Sequence, residues 1–135
     1  MYCLHKTGTR PLKKQQDFKK VYSQGKYAAD SVFVVYALAV NPTPLQSIRL
    51  GITVSKKVGN AVTRNRIRRI AKEVYKQIYE EIEITAGYDI VIVARKIAGT
   101  FEKGKDYQVA KKSIGHLLPK AIGRAKVFCS EELSQ

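Results

Sequence analysis

Seven cations stand between Val54 and Glu73 in the run VSKKVGNAVTRNRIRRIAKE: Lys56, Lys57, Arg64, Arg66, Arg68, Arg69 and Lys72. No acid interrupts them, and between Asp30 and Glu73 the chain carries eight cations and no carboxylate. The chemistry such a set performs is the binding of a polyanion. Arginine holds phosphate through a planar two-pronged fork and stacks on bases, which lysine, a point charge, does not do. Arginine outnumbers lysine from Ala61 to Tyr79, whereas lysine dominates elsewhere in the chain, so structured nucleic acid is favoured over an anionic membrane surface. A second set lies upstream, where Lys13, Lys14, Lys19 and Lys20 flank Phe18 and Tyr22. Rings that stack bases beside cations that follow the backbone are how single-stranded RNA is held. The same spacing of Phe18, Val21 and Tyr22 equally fits the core stripe of a short helix, and the residues alone leave both readings open.

Protein-based hydrolysis of a phosphodiester with two metals needs clustered carboxylates. The acids here are few and scattered; Glu80, Glu81 and Glu83 gather only where a helix would end in water. His5 and His116 are far apart in sequence, and no Ser-His-Asp or Cys-His arrangement is discernible. Cys3 and Cys129 lie near opposite ends without a partner at metal-ligand spacing, which reads as two reduced thiols of a cytosolic protein. No catalytic residue is expected, and the sequence does not assign a metal site.

The elements that must position these sets fit one domain. The chain has 135 residues, 44% of them hydrophobic, and a net charge of +14. Such an excess repels itself and is relieved by a polyanionic partner. No apolar run approaches the roughly 20 residues that span a bilayer, and Met1 to Arg10 has no apolar signal-peptide core. The expectation is a cytoplasmic protein with no membrane partner.

Met1 to Leu12 is polar, basic and broken by Pro11, and reads as a loose arm. Lys14 to Gln24 reads as a helix stopped by Gly25. The β-branched and aromatic run SVFVVYALAV (Ser31 to Val40) reads as a strand, and Asn41-Pro42-Thr43-Pro44 as a turn. In SIRLGITVS, Ile48, Leu50, Ile52 and Val54 alternate with Arg49, Gly51, Thr53 and Ser55, a strand with one face buried. Asn60 is an N-cap for a long helix free of Pro and Gly. In it Ile67, Ile70, Ala71, Val74 and Ile78 fall within an arc of about 100°. Arg64, Asn65, Arg68, Arg69, Lys72 and Lys76, with Tyr75 and Tyr79, fall on the side next to that stripe, and Arg66 on its other flank. The helix is roughly 30 Å long. Arg64, Arg68 and Lys72 stack like on like at i, i+4 near a helix N-terminus, against both pair electrostatics and the helix dipole. Tyr88 to Lys96 reads as a further strand and Gly99 to Gly104 as a loop. Asp106 could cap a last helix, which carries Tyr107, Ala110, Ile114, Leu117 and Leu118 and ends at Pro119. The fold class is an α+β sandwich: a small mixed sheet of about four strands with three helices, in the order α-β-β-β-α-β-α. Residues 1–11 form a basic arm, 12–119 the domain, and 120–135 a polar tail.

The motif SKKVGNAVTRNRIRR resembles that of the protein subunit of bacterial ribonuclease P. LKKQQDFKKVYSQG (Leu12 to Gly25), FVVY (Phe33 to Tyr36), RLGITVSKK and IVIVARK (Ile90 to Lys96) match that family in order, so the resemblance covers roughly Leu12 to Leu118. It implies a β-α-β unit with a left-handed crossover, against the usual rule for parallel strands. It also implies a function: binding a catalytic RNA, with its magnesium, in the enzyme that removes the 5′ leader of precursor tRNA. The protein itself then needs no cofactor and no obligate protein partner. By the same resemblance Arg64, Asn65 and Arg66, with Lys56, Lys57, Arg68, Arg69 and Lys72, contact the catalytic RNA. Lys14, Phe18, Tyr22 and Tyr36 line the cleft for the leader. Tyr22 stands where the family more often has Phe, Pro11 departs from the basic N-terminal run, and the tail after Pro119 matches nothing. The alternatives are a structural RNA-binding protein, such as a ribosomal component, and a DNA-binding helix. The latter is disfavoured because its apolar stripe is committed to a sheet and no dimeric half-site is visible.

Overall fold

The computed structural model describes residues 6–40, 46–82 and 87–134. In chain order the elements are β1 (Lys6–Pro11), α1 (Gln15–Gln24), β2 (Lys26–Ala29), β3 (Phe33–Ala39), β4 (Gln46–Val54), α2 (Ala61–Glu81), β5 (Tyr88–Ala94), a 3-10 turn (Lys96–Thr100) and α3 (Lys105–Ser134). The strands form one mixed sheet in the order β1-β4-β5-β3-β2. Strand β4 runs parallel to β1 and β5, while β3 runs antiparallel to β5 and β2. Helix α2 is therefore the crossover between two adjacent parallel strands.

Alternation decides what each face buries. Ile48, Leu50 and Val54 of β4, Ile90 and Ile92 of β5, and Phe33, Val35 and Ala37 of β3 join the main core with Ile67, Ala71 and Val74 of α2 and Ile114, Leu117 and Leu118 of α3. The opposite face carries a smaller core in which Val21 of α1 meets Leu12 and Val91, with Phe18, Tyr36, Leu38 and Val93 around it. Helices α2 and α3 thus cover one face, and α1 covers only part of the other.

Two expectations are corrected. The stretch read as a loose arm contains a strand: Thr9 pairs with Ile48, Pro11 with Leu50, and the Leu12 N–H donates to the Leu50 carbonyl at 2.9 Å. The sheet so has five strands rather than about four. An edge strand bonds on one side only, which is where a polar sequence ending in Pro is tolerated. Residues 1–5 of that arm, and the turn read at Asn41 to Pro44, lie outside the described residues. Helix α3 does not stop at Pro119 but runs to Ser134 with the proline inside it, so the boundary placed at residue 119 falls within a helix. Pro costs about 3 kcal/mol in a helix interior. Its ring meets the carbonyl of the residue four back, here Gly115, a residue that lets the backbone give. Burial of Ala121, Ile122 and Ala125 beyond it offsets the loss.

Candidate nucleic-acid interface

Helix α2 begins as its sequence requires, with the Asn60 side-chain carbonyl accepting from the Thr63 N–H at 2.9 Å. The 3-10 turn packs against the preceding loop so closely that a Cβ on Gly99 would collide with the Val58 carbonyl. This fixes the loop that presents the exposed Lys56 and Lys57. Asn65, Arg68, Arg69 and Lys72 are exposed on α2, and Arg64 is half-buried. Among the described residues no carboxylate pairs with Arg64, Arg68, Arg69 or Lys72. Arg68 is steered instead by neutral acceptors, the Asn65 side chain at 3.2 Å and the Val54 carbonyl at 3.4 Å. The Nε of Arg64 is buried and has no acceptor within the protein.

Arg66 differs from its neighbours. Its Nε donates to Asp106 at 2.8 Å, and the two side chains are 23% and 8% exposed. Asp106 also accepts from the N–H groups of Gly104, just before α3, and of Tyr107 in its first turn. Arg66 thereby ties α2 to α3, so of the Arg64-Asn65-Arg66 triplet only the first two stand on the free basic side. Tyr75 departs from expectation as well: it is 1% exposed, not on the open basic side. Strand β1 covers it, its hydroxyl meets that of Thr9 at 2.8 Å, and burial pushes its ionisation well above the usual tyrosine range. Beside it a groove of about 510 Å³ opens between β1 and α2, floored by Leu50 and Ile52 and rimmed by Arg10, Arg68, Arg69, Lys72 and Lys76.

The second site lies on the face that α1 covers only in part. Strand register puts Gly51, Val91, Tyr36 and Tyr27 side by side across four strands. Phe18 descends from α1 onto Gly51, where a Cβ would lie 2.5 Å from Cζ of the ring. Ring centroids are 6.5 Å apart for Phe18 and Tyr22, 5.0 Å for Tyr22 and Tyr36, and 5.6 Å for Tyr36 and Tyr27. The Tyr22 hydroxyl lies 3.3 Å from that of Thr53. The three rings singled out in the sequence are thus brought together. Lys13, Lys14, Lys19 and Lys20 are exposed on and before α1. Sequence reasoning missed Tyr27, whose only signal is its register opposite Tyr36. It also missed Arg49, which anchors α1: its guanidinium donates to both carboxylate oxygens of Asp89, at 2.8 and 2.6 Å, and to Asp17 at 3.2 Å.

The two sites meet at the end of β4, where consecutive residues serve one each: Thr53 faces Tyr22, and the Val54 carbonyl faces Arg68. No helix among the described residues is long and apolar enough to cross a membrane.

The family model described as ribonuclease P matches residues 7–121. The ribonuclease P protein component of Clostridioides difficile (strain 630) is 51% identical over 87 residues, 64% of this chain and 73% of that protein. The one from Bacillus velezensis is 39% identical over 109 residues, 81% of this chain and 86% of that protein. Among solved structures, the Staphylococcus aureus RNase P protein at 2.0 Å superposes with a TM-score of 0.67 at 34% identity, covering 87% of this chain and 94% of that one. The Thermotoga maritima RNase P protein does so with a TM-score of 0.62 at 30% identity, covering 76% and 90%.

Proposed function

The chain belongs to the ribonuclease P protein family, as a protein component that associates with ribonuclease P RNA, and from that footing we propose how its two sites divide the work. The α2 face, with Arg64, Asn65, Arg68, Arg69 and Lys72 and the loop cations Lys56 and Lys57, docks the catalytic RNA. The aromatic row of Phe18, Tyr22 and Tyr36, with Lys14 beside it, takes the single-stranded 5′ leader of precursor tRNA. Bond cleavage and its magnesium belong to the RNA. The protein contributes affinity for precursor over mature tRNA and lowers phosphate repulsion between two RNAs.

One observation carries this reading: unpaired cations and half-open rings lie on opposite faces of one sheet and meet at Thr53 and Val54. A ribosomal or other scaffold protein needs the first surface and has no use for the second. The supply of acids agrees, since each of the four aspartates is committed inside the protein. Asp17 and Asp89 bind Arg49, Asp106 binds Arg66, and Asp30 accepts from Val32, Phe33 and Ser113.

The test is cleavage of a precursor tRNA by the protein, by its RNA and by both together at low magnesium, with binding of precursor and mature tRNA to the assembled enzyme measured alongside. Cleavage only when RNA is present, with tighter binding of the precursor, is expected. Cleavage by the protein alone, or equal affinity for both tRNAs, would overturn the assignment.

A further inference from the structure

The row of rings does not end at Tyr36. Tyr27 is the direct register partner of Tyr36 in the outermost strand, so both side chains leave the sheet on the same face. Its centroid is 5.6 Å from that of Tyr36, within the range of the other steps along the row, and the planes are tilted by 38°. Tyr27 is 55% exposed, more than Tyr22 at 41%. A solvent-facing ring at one further step, on the outer edge of the sheet, is a place for one more base.

The backbone beneath Tyr27 is held from an unexpected quarter. Arg124 lies on α3 beyond Pro119 and beyond the segment that matches the family, and its guanidinium donates to the Tyr27 carbonyl at 2.5 Å. That carbonyl belongs to an edge strand. The contact is possible only because α3 continues through the proline and lays Ala121, Ile122 and Ala125 into the core. Arg124 is itself exposed, and among the described residues no carboxylate pairs with it. The exposed guanidinium thus fixes the edge strand that carries the outermost ring, and a ring held in place and open to water is the stacking component of a single-strand RNA subsite.

We propose that Tyr27 forms an additional nucleotide subsite that extends the aromatic row onto β2, stacking one further unpaired base of the leader, with Arg124 positioning β2 from the extension of α3. This rests on the reading of the row as the leader cleft, and it adds the length of leader that the protein senses.

The experiment uses the full chain assembled with its RNA and a series of precursor tRNAs whose leaders grow by one nucleotide. With the unaltered protein, affinity should rise with leader length and then level off. Tyr27→Ala and Tyr27→Leu should each level off one nucleotide earlier and bind the longer leaders about five-fold or more weakly, while shorter leaders bind unchanged. Leucine retains apolar packing on Tyr36 but offers no face for stacking, so an equal loss in both variants separates stacking from stability. Tyr27→Phe should behave as the parent. Arg124→Ala should shift the plateau in the same direction while shorter leaders bind unchanged, which a general loss of stability would not do. If Phe18→Ala weakens leader binding while Tyr27→Ala leaves the plateau in place, the additional subsite is refuted and the cleft stands. If Phe18→Ala also changes nothing, the cleft reading fails and this inference with it.

Discussion

Gly51→Ala is the smallest change that separates the position of Phe18 from its presence. The new Cβ would stand 2.5 Å from Cζ and 2.6 Å from Cε1 of the Phe18 ring, and 3.4 Å from Cβ of Leu12. Carbon atoms in contact lie about 3.5–4.0 Å apart, so the ring must retreat by roughly 1 Å while Leu12 stays in ordinary contact. Overpacking costs about 1–3 kcal/mol in a closed core. Phe18 is half-buried and can swing outward, so a loss near 1 kcal/mol is expected. The displaced ring forfeits part of a stacking interaction worth about 1–3 kcal/mol per base, which predicts roughly three- to ten-fold weaker binding of precursor tRNA to the assembled enzyme. A double-mutant cycle with Phe18→Ala isolates the cause. Without the ring the methyl has room, and Ala in place of Gly in a strand gains about 0.5–1 kcal/mol, so Gly51→Ala should be neutral or stabilising there. Urea melts give the stability arm and titration of labelled precursor tRNA gives the binding arm. Equal destabilisation in both backgrounds would show that Phe18 does not rest on Gly51. Lost stability with unchanged leader binding would show that the ring's position does not matter to RNA.

Five further outcomes are expected. Arg49→Ala strands the Asp89 carboxylate, whose side chain is 4% exposed. Breaking a buried pair costs about 3–5 kcal/mol; Arg49 is 41% exposed and water partly replaces it, so urea melts should read at or below the lower end, with part recovered by adding Asp89→Asn. Arg68→Ala should flatten the salt dependence of binding to ribonuclease P RNA by about 0.9 in log–log slope for each duplex phosphate it no longer neutralises, with an unchanged melting temperature. Arg66→Ala should instead lower the melting temperature, because it leaves Asp106 buried without its cation. Burial pushes the Asp30 carboxyl upward, but hydrogen bonds from the Phe33 N–H, the Ser113 hydroxyl and the Val32 N–H, with the nearby His116 charge, hold it below the ordinary 3.8. A depressed carboxylate stabilises the fold above the unfolded-state value and loses that contribution as pH falls through the folded one. Thermal melts from about pH 5 downward should therefore fall less steeply in Asp30→Asn than in the parent. Sulfate should raise the melting temperature at low ionic strength by binding the unpaired cations of the folded state, and no upward shift would count against that.

What the sequence made legible was what repeats along one element. The stripe from Ile67 to Ile78 and the Asn60 cap define α2, and alternation from Ile48 to Val54 defines β4 with Arg49, Gly51 and Thr53 on the reverse. The features it hid depend on partners distant in the chain. Strand β1 has no apolar alternation because it bonds along one edge, and without it Tyr75 reads as a surface residue. Pro119 obeys the local rule for ending a helix until burial of Ala121, Ile122 and Ala125 outweighs it. Arg66 and Asp106 meet across 40 residues: helical spacing sets Arg66 on the other flank of the apolar stripe, but no local pattern names its partner. Tyr27 stands alone in a four-residue strand, and only its pairing with Tyr36 places it in the row.

The distribution of charge supplies the physical link between fold and function. A chain of net charge +14 could relieve its own repulsion by spreading acids among the cations of α2. Its aspartates are placed elsewhere: two on Arg49 beneath α1, one on Arg66 between α2 and α3, and one at the start of β3. Each consolidates a junction between elements, where a partly buried pair or a capped turn fixes geometry. Among the described residues, Arg64, Arg68, Arg69 and Lys72 are left without a carboxylate on a helix whose other side is committed to the core. That arrangement costs the free protein stability and gains it back only with a polyanion present. A basic face kept solely for solubility would tolerate acids among its cations, because pairs at i, i+4 stabilise a helix. Here, among the described residues, none of these four cations pairs with an acid, not even Arg69 with Glu73 four residues on, while the same chain pairs its aspartates within its junctions, as a standing contact with RNA requires.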